Sequence, residues 1–181
     1  MSSPFVGAYW KARKESLDIC TDRCLSYLER LSVHDNLSTW FKLGKSKKSA
    51  TKHPIRLARE DIMSNMRTIN QDLGERAPIV DLGFRFTAWN GNFSEPADVS
   101  VTCGGYSQFV GNAVVLTLPL IKEVDATALE LMRDVLSSAV EAWDPDFAIA
   151  ISSASLTQQG GKIANATGWV NYRRGQGITS I

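Results

Sequence analysis

Apolar positions along this chain recur at two periods, and the change between them divides it into regions of different structure. From residue 17 the spacing is helical: Leu17, Cys20, Cys24, Leu28 and Leu31 share one face, while Asp18, Asp22, Glu29 and Arg30 lie mostly off it. Ser16 stands where an N-cap belongs, and Asp35-Asn36 breaks the stripe. A second helix is predicted from Arg59 to Asn70, with Ile62, Met66 and Ile69 inward. Between the two, Leu37 to Leu43 fits strand or helix, Gly44 to Lys48 reads as a polar loop, and Pro54 opposes a helix through His53. Gln71 to Pro78 is polar and rich in turn formers.

The middle third alternates with period two. Leu82, Phe84, Phe86 and Ala88 interleave with Gly83, Arg85, Thr87 and Trp89, which predicts a strand with at least one buried face. Asn90-Gly91-Asn92 is turn chemistry. Val99, Val101 and Cys103 alternate with polar neighbours and form the next strand, ended by Gly104-Gly105. Ala113 to Leu118 is apolar on both faces and reads as a central strand. The helical period then returns: Ala128, Leu129, Met132, Val135, Leu136, Ala139, Val140 and Trp143 make a wide apolar face. Thr127 and Glu130 match a capping box, and Asp144-Pro145 stops the helix. Phe5 to Trp10 and Phe147 to Ile151 are short apolar strands, Ser152 to Gly161 a loop, and Gly168 to Tyr172 the last strand. Strands and helices are segregated, so the expected fold is α+β: one domain over residues 1–181, mainly an antiparallel sheet packed with about three helices.

Composition narrows the function classes. The chain carries 20 Lys and Arg against 19 Asp and Glu, a formal charge of +1. That balance gives no long-range attraction to nucleic acid or anionic membrane, and none of the acidic field of a DNA mimic. No run approaches the ~18 apolar residues of a membrane span, and Met1-Ser2-Ser3-Pro4-Phe5 lacks the features of a signal peptide, so a cytoplasmic protein is expected. Cys20, Cys24 and Cys103 are an odd count and are expected to be buried free thiols.

Motifs for chemistry are sparse. His34 and His53 have no companion ligand at metal spacing, and no G-x-S-x-G elbow anchors a nucleophile. Gly44-Lys45-Ser46 matches the end of a phosphate loop, but Thr39 stands where its first glycine is required. Lys42, Lys45, Lys47, Lys48 and Lys52 form a basic run, expected to be a solvated loop. Asp144 and Asp146 flank Pro145 and are read as a turn, not as acid-base or metal groups. No catalytic residue, cofactor or metal is expected. What recurs is an aromatic beside turn residues, at Trp89-Asn90-Gly91, Gly105-Tyr106-Ser107, Trp143-Asp144-Pro145 and Gly168-Trp169. Core packing explains such residues, and so does an interface, since Trp and Tyr anchor many protein contacts.

These segments also carry a resemblance. Tyr9-Trp10, Arg13-Lys14-Glu15-Ser16, Trp40-Phe41-Lys42-Leu43-Gly44-Lys45-Ser46 and Leu82-Gly83-Phe84 come first. Trp89-Asn90-Gly91, Cys103-Gly104-Gly105-Tyr106-Ser107 and Asn112-Ala113-Val114-Val115-Leu116 follow. Glu141-Ala142-Trp143-Asp144-Pro145-Asp146 and Gly168-Trp169-Val170-Asn171-Tyr172 close the set. In this order they resemble the immunity protein 52 family of bacterial polymorphic toxin systems. The resemblance implies an α+β protein that binds a cognate toxin in the cytosol, the toxin carrying a restriction-endonuclease-like nuclease domain and often delivered by a type VI secretion system. Members usually run on past the Gly-Trp-x-x-Tyr segment, so a shorter member or a missing C-terminal extension is expected here.

The near-neutral charge argues for a shape-complementary contact, one that covers the nuclease cleft or changes the toxin's assembly state. The expected toxin-binding surface combines the Arg85 and Thr87 face, the loop from Asn90 to Asp98 and the loop from Tyr106 to Asn112; Arg85, Thr87, Trp89, Asn90, Asn92, Tyr106, Gln108 and Asn112 are its candidate residues. Two other classes compete: a small hydrolase with a site assembled only in three dimensions, and a nucleic-acid-binding module using the lysine run.

Overall fold

In the computed structural model, strand β1 (Pro4–Trp10) runs through the middle of a sheet that the rest of the chain builds outward on both sides. The structure describes residues 3–43, 51–69, 80–107, 111–121 and 123–180. Among these, β2 (Trp40–Phe41), β3 (Pro54–Ile55), β4 (Phe84–Trp89), β5 (Asp98–Cys103), β6 (Asn112–Thr117), β7 (Phe147–Ser152), β8 (Val170–Arg173) and β9 (Gly177–Ser180) join β1 in the order β3-β2-β4-β5-β6-β1-β7-β8-β9. Every neighbouring pair is antiparallel. The α+β expectation holds.

Three helices, α1 (Leu17–Leu31), α2 (Arg59–Ile69) and α3 (Ala126–Trp143), supply the main core opposite the sheet. The α1 stripe is buried as its period requires: Cys20, Cys24, Leu28 and Leu31 are inaccessible, and the Ser16 hydroxyl caps the Ile19 amide. From the sheet, Val6, Ala8, Phe86, Ala88, Val99, Val101, Val114 and Leu116 meet these helices. Ile62 and Met66 of α2 are buried; the expected inward turn of Ile69 and the expected loops 44–48 and 71–78 lie outside what is described of side chains and backbone.

Four expectations are corrected. First, α3 begins at Ala126 and its N-cap is Asp125, whose carboxylate accepts the Ala128 amide at 2.8 Å. Thr127 is therefore inside the helix, since the Leu129 amide already donates to Asp125 O. Second, residues 152–161 are not all loop: Ser152 caps a short helix, α4 (Ser153–Gln158). Third, a strand follows the one read as last; β8 turns through Arg174-Gly175-Gln176 into β9, with Gly175 and Gly177 at positive φ. In β9 only Ile178 is strongly apolar, too little alternation to read from sequence. Fourth, the strand read from Leu82 starts only at Phe84, because Val80–Leu82 is a 3-10 turn and Gly83 sits at positive φ. Strand β6 is central as expected, with its two faces unequally covered. Asn112, Val114 and Leu116 are buried, while Ala113, Val115 and Thr117 are only half-buried. The ambiguous Leu37–Leu43 stretch resolves into a 3-10 turn at Asp35–Leu37 followed by β2.

Candidate partner-binding surface

The sheet has a second face, and the described residues cover only part of it. Ile149 and Ile151 of β7 and Ala166 form a small cluster there, with Phe5, Tyr9, Leu156 and Ile163 packed around them. Toward β4 the cover ends. The register lines up Arg85, Thr102, Ala113 and Tyr9 in one row and Thr87, Ser100, Val115 and Gly7 in the next. Arg85 is exposed, and Thr87, Ser100, Thr102, Ala113 and Val115 are half-buried. The first row continues through Phe147, which stacks on Tyr9 at 5.0 Å, to Arg173, whose guanidinium lies 5.3 Å from the Phe147 ring centre. Tyr9 itself lies across Gly7, since a Cβ there would sit 2.3 Å from its hydroxyl. Burial pushes the Tyr9 phenol up to about 12.

The loop after β4 bounds this face at one end. Its shape comes from two asparagines. Asn90 is buried; its Oδ1 accepts the amides of Asn92 and Ala97, and its Nδ2 donates to the carbonyls of Asn36 and Glu95. Asn92 Oδ1 accepts the Ser94 amide and hydroxyl and the Glu95 amide. A loop held this tightly has little entropy left to lose on binding. At its tip Phe93 is 57% exposed and packs edge-on against Trp89 at 5.4 Å. Trp89 points to the same face as Arg85 and Thr87, yet it is only 6% exposed, because Phe41 from β2 and Phe93 lie against it.

At the opposite end Tyr106 is 38% exposed. The amides of Tyr106 and Ser107 donate to Asp81 O, and the Arg13 amide donates to Gly105 O. The Lys14 ammonium lies 5.0 Å from the Tyr106 ring centre. Asn112 supports this loop from beneath. It is 1% exposed, accepts the Gly105 amide at 2.9 Å, and donates to Gly105 O and Lys11 O. Gln108 lies outside the described residues. The eight candidates thus separate: Arg85, Thr87, Asn92 and Tyr106 present atoms to solvent, while Trp89, Asn90 and Asn112 are buried beneath the loops.

Beside Tyr106 the motif residues near both chain ends converge. Trp10 stacks on Trp143 at 5.3 Å. Arg13 donates to Trp143 O at 2.7 Å and to Asp144 O at 3.2 Å, and Arg23 donates to Ala142 O at 2.8 Å. Arg174 reaches Asp144 O and the Asp144 carboxylate. Three cations therefore satisfy the carbonyl end of α3, where the helix dipole is negative. Asp144 closes the helix in the left-handed region, at φ 46°. Glu15, itself mostly buried, bridges Arg13 and Arg23; Arg13 Nε is 3.2 Å from Glu15 Oε2 in an ion pair that lacks hydrogen-bond alignment. The Asp144-Pro145-Asp146 turn is thus tied into this network. Among the described residues no group of three or more His, Cys, Asp or Glu is arranged to hold a metal ion. Cys20, Cys24 and Cys103 are buried free thiols, and burial pushes the Cys24 thiol well above its ordinary range.

With this geometry in view, the family model for immunity protein 52 matches residues 3–177. The chain belongs to the immunity protein 52 family. A search of the curated proteins finds no match. Members of this family bind a cognate toxin. No helix among the described residues is long and apolar enough to cross a membrane. Sequence reasoning missed Phe93 as a named residue, though a lone aromatic inside the polar run Asn90 to Glu95 was the available signal. It also missed Arg174, which nothing local in the sequence connects to Asp144.

Proposed function

We propose that this protein neutralises a nuclease toxin by binding it in the cytoplasm, the toxin carrying a restriction-endonuclease-like domain and reaching cells through a type VI secretion system. The match to the immunity protein 52 model over nearly the whole chain carries this reading. The protein acts by occupancy, without catalysis or a cofactor, and contacts neither nucleic acid nor membrane directly. The toxin seats on the open part of the sheet. Arg85, Thr87, Asn92 and Tyr106 touch it, while Trp89, Asn90 and Asn112 hold the loops in place; Gln108 belongs to the same loop as Tyr106. Residues 1–181 act as one domain in this. A stable inhibitory contact buries about 1,200–2,000 Å² in total, an area that one sheet face with its two flanking loops can supply.

Co-expression with the product of the neighbouring toxin gene tests the reading. Restored growth and a purified complex are expected. Toxicity that persists while the protein is present in folded form rejects that toxin as the partner.

A further inference from the structure

Next to Tyr106 the wall between β1 and the turn after α3 opens into a cleft of about 170 Å³, lined by Trp10, Lys11, Ala12, Arg13, Asp146 and Arg174. Three of these six carry positive charge and one carries negative charge. Asp146 is already engaged, since its Oδ2 accepts the Lys11 amide at 2.9 Å and its Oδ1 lies 3.7 Å from Arg174. Arg13 is held by the α3 carbonyls and by the Trp10 face, 5.3 Å from its guanidinium. Arg174 uses Nη2 toward Asp144 and Nε toward Pro145 O. Its Nη1 and the Lys11 ammonium have no partner among the described residues, and Lys11 is exposed. The lining thus holds two engaged guanidinium groups, a free Arg174 Nη1 and the exposed Lys11. Its size admits several waters or one carboxylate group.

We infer that this cleft receives one carboxylate side chain, from an aspartate or glutamate of the protein partner, and fixes its position relative to Tyr106. With Arg13 paired to Glu15 and Asp144 and Arg174 to Asp144 and Asp146, the positive charge left over is the Lys11 ammonium, and it favours an anion. Arg174 Nη1 can donate to one carboxylate oxygen, and the Lys11 ammonium supplies a point charge for the other. Lys14, held over the Tyr106 ring, extends the positive rim toward the proposed toxin surface. The inference rests on the toxin-binding reading for the source of the carboxylate, whereas the cleft's affinity for that group stands by itself.

Two measurements on the full chain test it. In the first, sodium acetate replaces sodium chloride at constant ionic strength while the arginine Nε–H resonances are followed by NMR. A saturable shift of Arg13 or Arg174 is expected, with about threefold weaker affinity in Lys11→Gln. No saturation, or saturation with sodium phosphate but not acetate, overturns the inference. In the second, binding to the cognate toxin is compared for wild type, Lys11→Arg and Lys11→Glu. Lys11→Arg is expected to bind like wild type, and Lys11→Glu about tenfold more weakly with a shallower salt dependence. Equal binding by Lys11→Glu also overturns it. Saturable acetate binding by a protein that neither binds nor neutralises the toxin would instead reject the functional reading and leave the cleft's chemistry standing.

Discussion

Asn112 sits where a single amide replaces backbone pairing. At the start of β6 it accepts one amide and donates to two carbonyls, joining the end of β1 to the Gly104-Gly105 turn. Removing it takes that partner from the buried Gly105 amide and from Lys11 O, while Gly105 O keeps the Arg13 amide. Asn112→Ala is therefore expected to cost about 2–3 kcal/mol, measured by urea unfolding. Tyr9 makes a pH-dependent contribution. Its phenol titrates near 10 when exposed and near 12 in the fold. Below pH 10 both states keep the proton and the contribution is whole; between pH 10 and about 12 the unfolded chain loses it first, so stability falls as pH rises. Tyr27, buried and shifted in the same direction, adds to that fall. Tyr9→Phe is expected to lose less stability than wild type between pH 10 and 12, read from urea midpoints across that range. An identical slope in the two proteins would contradict the assignment.

Among elements, α3 shows how caps override motif spacing. Thr127 and Glu130 have the separation of a capping box, yet Asp125 takes the cap because its carboxylate reaches Ala128 N. Asp125→Ala is expected to lose about 1 kcal/mol and Thr127→Ala only a few tenths, compared by thermal or urea unfolding. The other end of α3 depends on distant residues. Arg13 lies 130 residues before Trp143, whose carbonyl it holds, and Arg174 approaches from the β8–β9 turn. Helix α1 needs no such help, since its stripe and Ser16 cap are local. The alternation of β4 gave the right face for each side chain. It left the exposure of Trp89 open, because β2 and the 90–97 loop add aromatic cover that no period within β4 records.

At the scale of the whole molecule, the two loops lie at opposite ends of β4, β5 and β6, about 17 Å apart along a six-residue strand. The open sheet face connects them. Phe93 and Tyr106 are exposed, braced by hydrogen-bonded loops, and contribute little to the main core. Phe93→Ala and Tyr106→Ala are expected to unfold like wild type and to weaken toxin binding by about 2 kcal/mol each, measured by calorimetry. Trp89→Ala would confound the same measurement, since a buried indole supports the fold as well. Unchanged binding by both exposed variants would move the contact off this face.

The period of each long element, the α+β class and the family follow from residue order alone. Those depend on residues near one another, or on an ordered series of short segments that needs no coordinates. Residue order also identifies which positions of β4, β5 and β6 share a face, since pleating is local. Long-range packing fixes which sheet face the helices cover, which aromatics are buried, and how Lys11, Arg13, Asp146 and Arg174 come to share a cleft. Exposure and charge clustering are set by the segments that pack across the chain, and neither hydrophobic period nor composition encodes which segments those are.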